Sequence, residues 1–311
     1  MIRLNGGETV DGALRGAIVA LGNFDGFHAG HQAVVGRAVT LAKARGCPAI
    51  VATFDPHPVR YFRPDTPPFR LTSLDQRERL FAAGGADAML VLHFGAELAN
   101  VSAGDFITDW LIERTGAAGV VTGEDFTFGK ARGGNTQVLA EIGRAHGLIV
   151  ETVGPVAEAG ETISSSRIRH ALKEGDCATA TRLLTRPFAI EGVVQHGDKN
   201  GRLLGYPTAN VDMGSYLRPR YGIYAVRGHL PDGRVLNGAA NLGIRPQFDP
   251  PKELLEPYFF DFNEDLYGQT IEIELVAHIR DEAKFDGLDA LKDQMARDCD
   301  TARDILSAPT P

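Results

Sequence analysis

Residues 21–31 read L-G-N-F-D-G-F-H-A-G-H, and this stretch decides the fold of the first half of the chain. A short apolar run, residues 17–21, leads into it and has the length of a buried strand. Apolar residues at helical spacing follow it, from Val34 to Ala42, until Gly46. The stretch is therefore predicted to be a strand-to-helix turn. In a parallel α/β sheet such a turn lies at the carboxyl end of the strands, where ligands bind.

The turn contains the residue types that a phosphate site needs. Gly22, Gly26 and Gly30 allow the backbone to approach a ligand closely. The helix that follows offers free N–H groups and the positive end of its dipole. His28 and His31 are three residues apart, so both can face the same anion. The alternative is a capping histidine beside a surface histidine, but the H-x-G-H frame behind a strand favours the phosphate site.

The turn resembles the signature of the nucleotidylyltransferase superfamily. The fuller string G-N-F-D-G-F-H-x-G-H resembles the adenylyltransferase half of the bacterial bifunctional riboflavin kinase/FAD synthetase family. This resemblance implies a Rossmann-like domain that transfers AMP from ATP to FMN. It also implies an ATP site formed by Gly22, Phe24, Asp25, Gly26, His28, Gly30 and His31, with the two histidines catalytic.

Length and composition limit the class of protein. A chain of 311 residues is long enough for about two domains. Its net charge of −8 disfavours a general nucleic-acid binder. Cys47, Cys177 and Cys299 are far apart, which argues against a disulfide framework and against a zinc site. No run has the pattern of a signal peptide or a membrane span, so we expect a cytoplasmic protein. The sequence does not determine the oligomeric state, and a homo-oligomer is one of the options.

The first 184 residues alternate between strand-like and helix-like segments. Strands are predicted at 17–21, 49–54, 87–93, 118–122 and 148–153, and helices near 31–45, 73–83, 103–115 and 135–146. Alternating units of this length predict a mainly parallel, doubly wound sheet.

Two further loops in this half carry unusual residues. One reads Asp55-Pro56-His57-Pro58, and the other holds Asp125, Phe126 and Phe128. The first could instead be a rigid surface loop with an exposed histidine, and the two phenylalanines could instead belong to the core. The family resemblance implies that Asp55, His57, Asp125, Phe126 and Phe128 bind the flavin.

Residues 163–169 read I-S-S-S-R-I-R at a predicted helix start. Serines there are ordinary caps. Two arginines in a first turn oppose the helix dipole, however, and a bound anion would offset that conflict. The stretch resembles the I-S-S-T-x-I-R motif of nucleotidylyltransferases, with Ser166 in place of threonine. The resemblance implies that Ser164, Ser165 and Arg169 bind ATP, with Arg169 acting on the departing pyrophosphate.

The pattern changes near Pro187, which predicts domains at 1–186 and 187–311. Beyond it, residues 271–279 alternate between apolar and polar side chains, as in a strand with one buried face. Closely spaced strands and turn signals predict a small antiparallel barrel. An apolar stripe from Leu288 to Leu306 predicts a final helix.

A glycine-rich loop, residues 197–210, lies between the first two predicted strands of the barrel. It lacks the spacing of a Walker P-loop. Thr208 and Asn210, two apart on a strand, face the same way and offer oxygen ligands to a hard cation, although P-T-A-N could be a plain turn. The loop resembles the riboflavin kinase signature G-x-P-T-A-N. The resemblance implies that Thr208 and Asn210 bind Mg²⁺ with ATP, and that Gly201, Gly205 and Pro207 bind the nucleotide.

Further matches follow in the order of that family. Residues 241–246 resemble its N-x-G-x-R-P turn, with Gln247 where threonine is usual, and residues 255–262 resemble the strand that carries the catalytic glutamate. That glutamate corresponds to Glu256. The resemblance implies riboflavin, FMN and ATP as substrates, Mg²⁺ as cofactor, and FAD as product. The alternatives are a superfamily enzyme with another phosphate acceptor and a flavin-binding protein that has lost its chemistry.

Overall fold

The computed structural model describes residues 1–7, 9–10, 12–196, 206–245 and 252–308. The chain divides into two compact units. Unit 1 comprises Met1–Pro67 and Leu74–Ser164, and unit 2 comprises Pro68–Ser73 and Ser165–Pro311. Residues 165–186, which the predicted division assigns to the first domain, therefore group with unit 2. Where the two activities can be separated stays a prediction.

Unit 1 is built on a parallel sheet of six strands with the order β1-β4-β3-β2-β5-β6. Strands β2 to β4 run outward on one side, and the chain then crosses to place β5 on the other side of β2. The sheet thus has its topological switch point at β2, the strand that precedes the histidine turn. Its strands are β1 (Ile2–Gly6), β2 (Ile18–Leu21), β3 (Ala49–Asp55), β4 (Ala88–His93), β5 (Gly119–Gly123) and β6 (Ile149–Val153).

Both faces of this sheet are covered. Val19 and Leu21 belong to one cluster of buried apolar side chains, while Ile18 and Ala20 belong to a second cluster. Alternate residues of one strand point to opposite faces, so the predicted doubly wound fold is confirmed.

The helices of unit 1 are α1 (Ala29–Arg45), α2 (Pro58–Phe62), α3 (Leu74–Ala83), α4 (Ala96–Ala99), α5 (Ala103–Asp105), a π-helix (Phe106–Arg114) and α6 (Thr136–Ala145). Two 3-10 turns lie at Gly12–Leu14 and Lys130–Arg132, and β7 (Ala157–Glu158) and β8 (Glu161–Thr162) form a hairpin.

Unit 2 contains a closed antiparallel barrel with the strand order β10-β13-β12-β11-β14-β9. Ile271, Ile273 and Leu275 are fully buried and alternate with half-buried Glu272 and Glu274, as the sequence pattern predicted. The strands are β9 (Phe188–Gln195), β10 (Asn210–Asp212), β11 (Gly222–His229), β12 (Val235–Arg245), β13 (Lys252–Phe259) and β14 (Thr270–Arg280).

Three helices in the described part of unit 2 pack against this barrel or each other: α7 (Ser165–Lys173), α8 (Cys177–Leu184) and α9 (Leu288–Ser307). The predicted final helix is confirmed, and a buried ion pair holds it. Asp298 is 5% exposed and accepts hydrogen bonds from Arg280 at 2.9 and 2.6 Å. Among the residues that the structure describes, no helix is both long and apolar enough to cross a membrane.

Candidate active sites

The histidine turn joins β2 to α1. His28 is the N-cap of α1, and its Nδ1 accepts a hydrogen bond from the backbone N–H of His31 at 3.3 Å. The two imidazole rings are stacked, with centroids 3.6 Å apart and planes at 20°. Because Nδ1 of His28 is an acceptor, the neutral ring carries its proton on Nε2. The turn therefore places an imidazole N–H beside the first backbone N–H groups of a helix, which have no intrahelical partners.

Two of the three glycines in the turn lie so close to neighbouring rings that a Cβ there would be crowded. A Cβ on Gly30 would lie 3.1 Å from Cε1 of His28, and a Cβ on Gly22 would lie 3.0 Å from Cζ of Phe24. Gly26 has φ +89°, a conformation that favours glycine. The sequence spacing thus reflects the close packing of the turn around the histidine pair.

Phe24 and Asp25 are buried residues in the first part of the turn. Each is 2% exposed. The Phe24 ring packs edge-on against His31 at 5.3 Å and against Phe81 at 5.8 Å. Asp25 forms a buried ion pair with Arg77 at 3.4 Å. Both residues support the turn, and a direct contact of either with ATP stays a prediction.

The serine–arginine motif falls where unit 1 ends and unit 2 begins. Ser164 is the last residue of unit 1, and Ser165 is the first residue of α7. Within unit 2, Arg169 donates from Nε to the carbonyl of Phe69 at 2.8 Å, and its guanidinium lies 5.2 Å from the Phe69 ring. The roles of Ser164, Ser165 and Arg169 toward ATP stay predictions.

The end of β3 and the loop after it place Asp55 and His57 next to the end of β4. The carbonyl of Asp55 accepts a hydrogen bond from Phe94 N–H at 3.0 Å. His57 is the N-cap of α2, where its Nδ1 accepts from Val59 N–H at 3.2 Å. Both side chains are half-buried at the carboxyl edge of the sheet. Their predicted contact with the flavin is untested.

The three candidate flavin-binding residues in the loop after β5 differ in their exposure to solvent. Asp125 is exposed, Phe126 is half-buried and Phe128 is only 7% exposed. The Phe128 ring packs against Phe106 at 5.4 Å and against Phe126 at 5.7 Å. Phe128 thus occupies the core position that the sequence left as an alternative. Flavin binding by the three residues stays a prediction.

A group of aromatic rings that extends from the core to the surface was not singled out from the sequence. We call it the aromatic patch: Phe54, Tyr61, Phe62 and Phe94. The Phe94 centroid lies 6.0 Å from that of Phe54, 5.6 Å from that of Tyr61 and 5.7 Å from that of Phe62. Phe62 is 65% exposed although it belongs to this group. The available signal was the position of Phe54 in β3 and of Phe94 directly after β4, with Tyr61 and Phe62 on the short helix that follows β3.

In unit 2, residues 207–210 lie beside the strand that carries Glu256. Asn210 is the first residue of β10 and is 9% exposed. The Ala209 N–H donates to the carbonyl of Pro257 at 2.9 Å, and Val211 pairs with Leu255. Thr208 and Glu256 are half-buried. The predicted ligands Gly201 and Gly205 lie outside the described residues.

On the other side of β13, the neighbour of Glu256 is Asn241 of β12. The two residues are directly paired in the β12–β13 register, so their side chains project from the same face. The Oδ1 of Asn241 is buried and has no hydrogen-bond partner within the described ranges. Because such an acceptor is costly to bury alone, a ligand donor beside Glu256 would be favoured there.

A cavity of ≈ 290 Å³ opens next to this motif. Pro207, Thr208 and Ala209 line one part of it. The opposite part is formed by the segment after β13, where the Tyr267 ring lies 3.9 Å from the His196 ring. Thr208 therefore faces a space that can accept a small molecule, whereas Asn210 and Glu256 do not line the cavity itself.

Four other carboxylates near Glu256 already have partners. Glu253 pairs with Arg218 at 2.7 Å and accepts from the Tyr221 hydroxyl. Partial burial opposes ionisation of Glu253, but these two donors hold its pKa below the usual value. Partial burial and the same contact raise the pKa of Tyr221 to about 12. Asp261 pairs with Arg303, Glu264 with Arg234, and Asp265 caps Tyr267 N–H.

No group of three or more His, Cys, Asp or Glu side chains that could hold a metal occurs in the part of the chain that the structure describes. Thr208 and Asn210 instead offer neutral oxygens two residues apart. Such a donor set fits Mg²⁺, which keeps several waters and binds proteins through few ligands together with substrate phosphates.

Comparison with known proteins matches each half of the chain to a family. A family model of FAD synthetase matches residues 11–167, and one of riboflavin kinase matches residues 184–306. The bifunctional riboflavin kinase/FMN adenylyltransferase of Escherichia coli is 38% identical over 296 residues, which is 95% of both chains. The protein of the same name from Bacillus subtilis is 38% identical over 289 residues, covering 91% of this chain and 90% of the other.

A solved structure shares this fold along nearly the whole length. It is described as a macrolide-efflux protein from Streptococcus pneumoniae, with a TM-score of 0.86 and 32% identity over 97% of this chain and 99% of that one. The two family matches cover both halves in order, and the relatives match from end to end. The chain belongs to the family of bifunctional riboflavin kinase/FMN adenylyltransferases.

Proposed function

We propose that the chain converts riboflavin to FAD in two ATP-dependent steps. The barrel of unit 2 transfers the γ-phosphoryl group of ATP to the 5′-hydroxyl of riboflavin, which gives FMN. The half that carries the histidine turn transfers AMP from a second ATP to FMN, which gives FAD and pyrophosphate. Both steps are in-line displacements that depend on positioning and on stabilisation of charge.

One observation carries this proposal: the histidine turn lies in unit 1, the kinase motifs lie in unit 2, and a different family model matches each part of the chain. The histidine pair lies at the switch point of a parallel sheet. Asn210 and Glu256 lie on adjacent strands of a barrel, and Thr208, expected on the same strand as Asn210, lies just before that strand begins. A transferase with another phosphate acceptor would leave the barrel site unexplained. A flavin-binding protein without activity would have no need for the stacked histidines or for Glu256.

Product analysis tests the proposal directly. The purified chain, incubated with riboflavin and Mg-ATP, is expected to form FMN first and FAD later. With FMN supplied instead, FAD and pyrophosphate should form together. Adenylylation of another phosphate compound in preference to FMN would favour the first alternative, and binding of flavin without turnover would favour the second.

In adenylyl transfer, an FMN phosphate oxygen forms a bond to the α-phosphorus of ATP as the bond to the pyrophosphate oxygen breaks. The nucleophile is already an anion, so no general base is required. Nε2–H of His28, His31 and the first N–H groups of α1 would stabilise negative charge on the triphosphate. Ser164, Ser165 and Arg169 are proposed to act on the departing pyrophosphate, as the motif suggests.

In the kinase step, Glu256 is proposed to accept the proton of the riboflavin 5′-hydroxyl as it attacks the γ-phosphorus. Thr208 and Asn210 would hold Mg²⁺, which neutralises charge on the ATP phosphates when bound. The buried Oδ1 of Asn241 would accept a hydrogen bond from the substrate beside Glu256. The cavity beside Thr208 is the proposed nucleotide pocket.

The aromatic patch is proposed to receive the isoalloxazine ring of FMN. Replacing Phe62 by alanine is expected to raise the KM for FMN about 3- to 10-fold, because aromatic stacking contributes about 0.5–1.5 kcal/mol. Little stability should be lost, since Phe62 is 65% exposed. Steady-state kinetics of FAD formation measure the effect. Val59→Ala on the same helix is the control, and an unchanged KM in Phe62→Ala would exclude this site for the ring.

A fragment of residues 1–186 is expected to make FAD from supplied FMN and ATP but not to phosphorylate riboflavin. It should also unfold at a lower temperature than the whole chain. In unit 2, α8 packs on β9 and β14, so the cut exposes Cys177, Ala180, Leu183 and Leu184. Product separation and thermal unfolding measure both effects. A folded fragment without adenylyl transfer would show that the first activity depends on the barrel.

The compartment also stays a proposal. All three cysteines, Cys47, Cys177 and Cys299, are free thiols in the structure. Burial raises the pKa of Cys177 to about 12, so this thiol is unreactive at neutral pH. Three unpaired thiols are typical of a protein of the reducing cytoplasm.

A further inference from the structure

Arg77 on α3 is among the largest fully buried side chains in the described part of the protein, with 1% exposure. A buried guanidinium is costly unless its charge and its donors are satisfied. The residue lies on a short helix whose sequence, L-D-Q-R-E-R, is typical of a solvated face. Because the charge of Arg77 does not face solvent, its presence in this helix is not explained by solubility.

The contacts of Arg77 converge on the histidine turn. Its Nη2 lies 3.4 Å from Oδ1 of Asp25. Its Nη1 donates to Oγ1 of Thr53 at 3.2 Å and to the carbonyl of Asn23 at 3.4 Å. The Thr53 hydroxyl in turn donates to the same Asn23 carbonyl at 2.8 Å. One guanidinium thus joins two positions of the turn to the neighbouring strand β3.

The turn needs such support because its backbone is strained. Phe24 has φ +48° and Phe27 has φ +43°, values in the left-handed region that non-glycine residues rarely adopt. These conformations persist only when the surroundings fix them. Arg77 and Thr53 bind the carbonyl immediately before Phe24, and Arg77 binds the side chain immediately after it. His28 follows Phe27 directly.

We propose that Arg77 is a positioning residue for adenylyl transfer, which fixes the strained turn and through it the donor groups of His28 and His31. The inference rests on the proposed role of the histidine turn in FAD formation. Arg77 itself, being fully buried, acts through the turn. Misplacement of catalytic groups by about 1 Å can cost about 10²-fold in rate, so loss of this brace has a measurable consequence.

The test compares Arg77→Met and Arg77→Lys with Arg79→Met, an exposed residue of the same helix, in the full-length chain. Methionine removes both the positive charge and the N–H donors of the guanidinium, while lysine keeps the charge. For Arg77→Met we expect kcat for FAD formation to fall about 10- to 100-fold with little change in the KM for ATP. Arg77→Lys should recover part of this loss. Riboflavin phosphorylation should be unchanged in all three variants.

A purely structural role predicts another result. Arg77→Met and Arg77→Lys would then lower the unfolding temperature while kcat per folded molecule stayed at the wild-type value, and that outcome would overturn the proposal. If Arg77→Met does not fold, Arg77→Lys decides: a reduced kcat at near-normal stability supports positioning, and a normal kcat refutes it. If the wild-type chain forms no FAD, or if His28→Ala forms it at the normal rate, the proposed role of the histidine turn is wrong. That result is distinct from a failure of the proposal for Arg77.

Discussion

Replacement of His28 or His31 by alanine is expected to slow FAD formation from FMN by about 10²–10³-fold, the typical cost of losing one preorganised donor to developing charge. The stacked rings, 3.6 Å apart at the start of α1, form one donor group beside the first backbone N–H groups of the helix. FMN formation from riboflavin should remain near the wild-type rate, because the kinase motifs lie in unit 2. Both products can be followed in the same chain.

His28 also caps α1, so alanine removes two functions at once. The hydrogen bond from His31 N–H to Nδ1 of His28 is the cap, and its loss alone typically costs about 1 kcal/mol of stability. His28→Asn separates the two roles, because asparagine is a good N-cap without an imidazole. We expect this variant to keep the stability of the wild type while FAD formation stays as slow as in His28→Ala.

The matched control is His146→Ala, an exposed histidine at the end of α6. It should leave both activities unchanged. Full FAD synthesis in His28→Asn would mean that the ring serves only as a cap, and full synthesis in His31→Ala would leave α1 and its backbone donors as the phosphate site. Each result would remove the histidine that it tests from the mechanism, and both together would remove the pair.

The parallel sheet could be predicted because its central strands are continuous apolar runs separated by helical spacing. β1 was missed for a physical reason. Ile2 and Leu4 alternate with Arg3 and Asn5 in a five-residue segment at the sheet edge, and Ile2 is 54% exposed. An alternating pattern of only five residues does not distinguish a strand from irregular structure. The strand order, and hence the switch point at β2, depends on tertiary contacts that no local pattern contains.

The candidate sites show the same division. The histidines, Thr208, Asn210 and Glu256 lie in short motifs whose spacing carries chemistry, so the sequence indicated them. Arg77 could not be found in this way, because its partners Asp25 and Thr53 are 52 and 24 residues away along the chain. The aromatic patch likewise joins α2 to the end of β4, about one βα unit later. Only the folded chain brings these groups together.

Glu256→Gln is expected to abolish most FMN formation, by about 10²–10⁴-fold, because it keeps the shape of the side chain and removes the base. The structure gives this glutamate the required neighbours. Its strand β13 lies between β10, which begins with Asn210, and β12, which carries Asn241. The bond from Ala209 N–H to the Pro257 carbonyl holds residues 207–210 next to Glu256. FAD formation from supplied FMN should continue at the wild-type rate.

Asp261→Asn is the matched control, since Asp261 is the carboxylate that would be considered next. It pairs with Arg303 at 3.0 Å, and both partners are largely exposed, so this ion pair contributes little to stability. We expect Asp261→Asn to phosphorylate riboflavin at nearly the wild-type rate. The same experiment thus separates removal of a carboxylate on the strand from removal of one just beyond its end.

The two variants together leave few interpretations. Glu256 shares a strand face with half-buried Tyr258, whereas Leu255 and Pro257 are buried on the opposite face. A carboxylate on that face, paired across the strands with Asn241, is well placed to take a proton from a hydroxyl in the barrel site. If Glu256→Gln phosphorylated riboflavin normally while Asp261→Asn did not, the base would be Asp261, and Arg303 would have to release it on substrate binding. If both variants were active, the kinase step would rely on positioning and metal-stabilised charge alone, with no general base from β13.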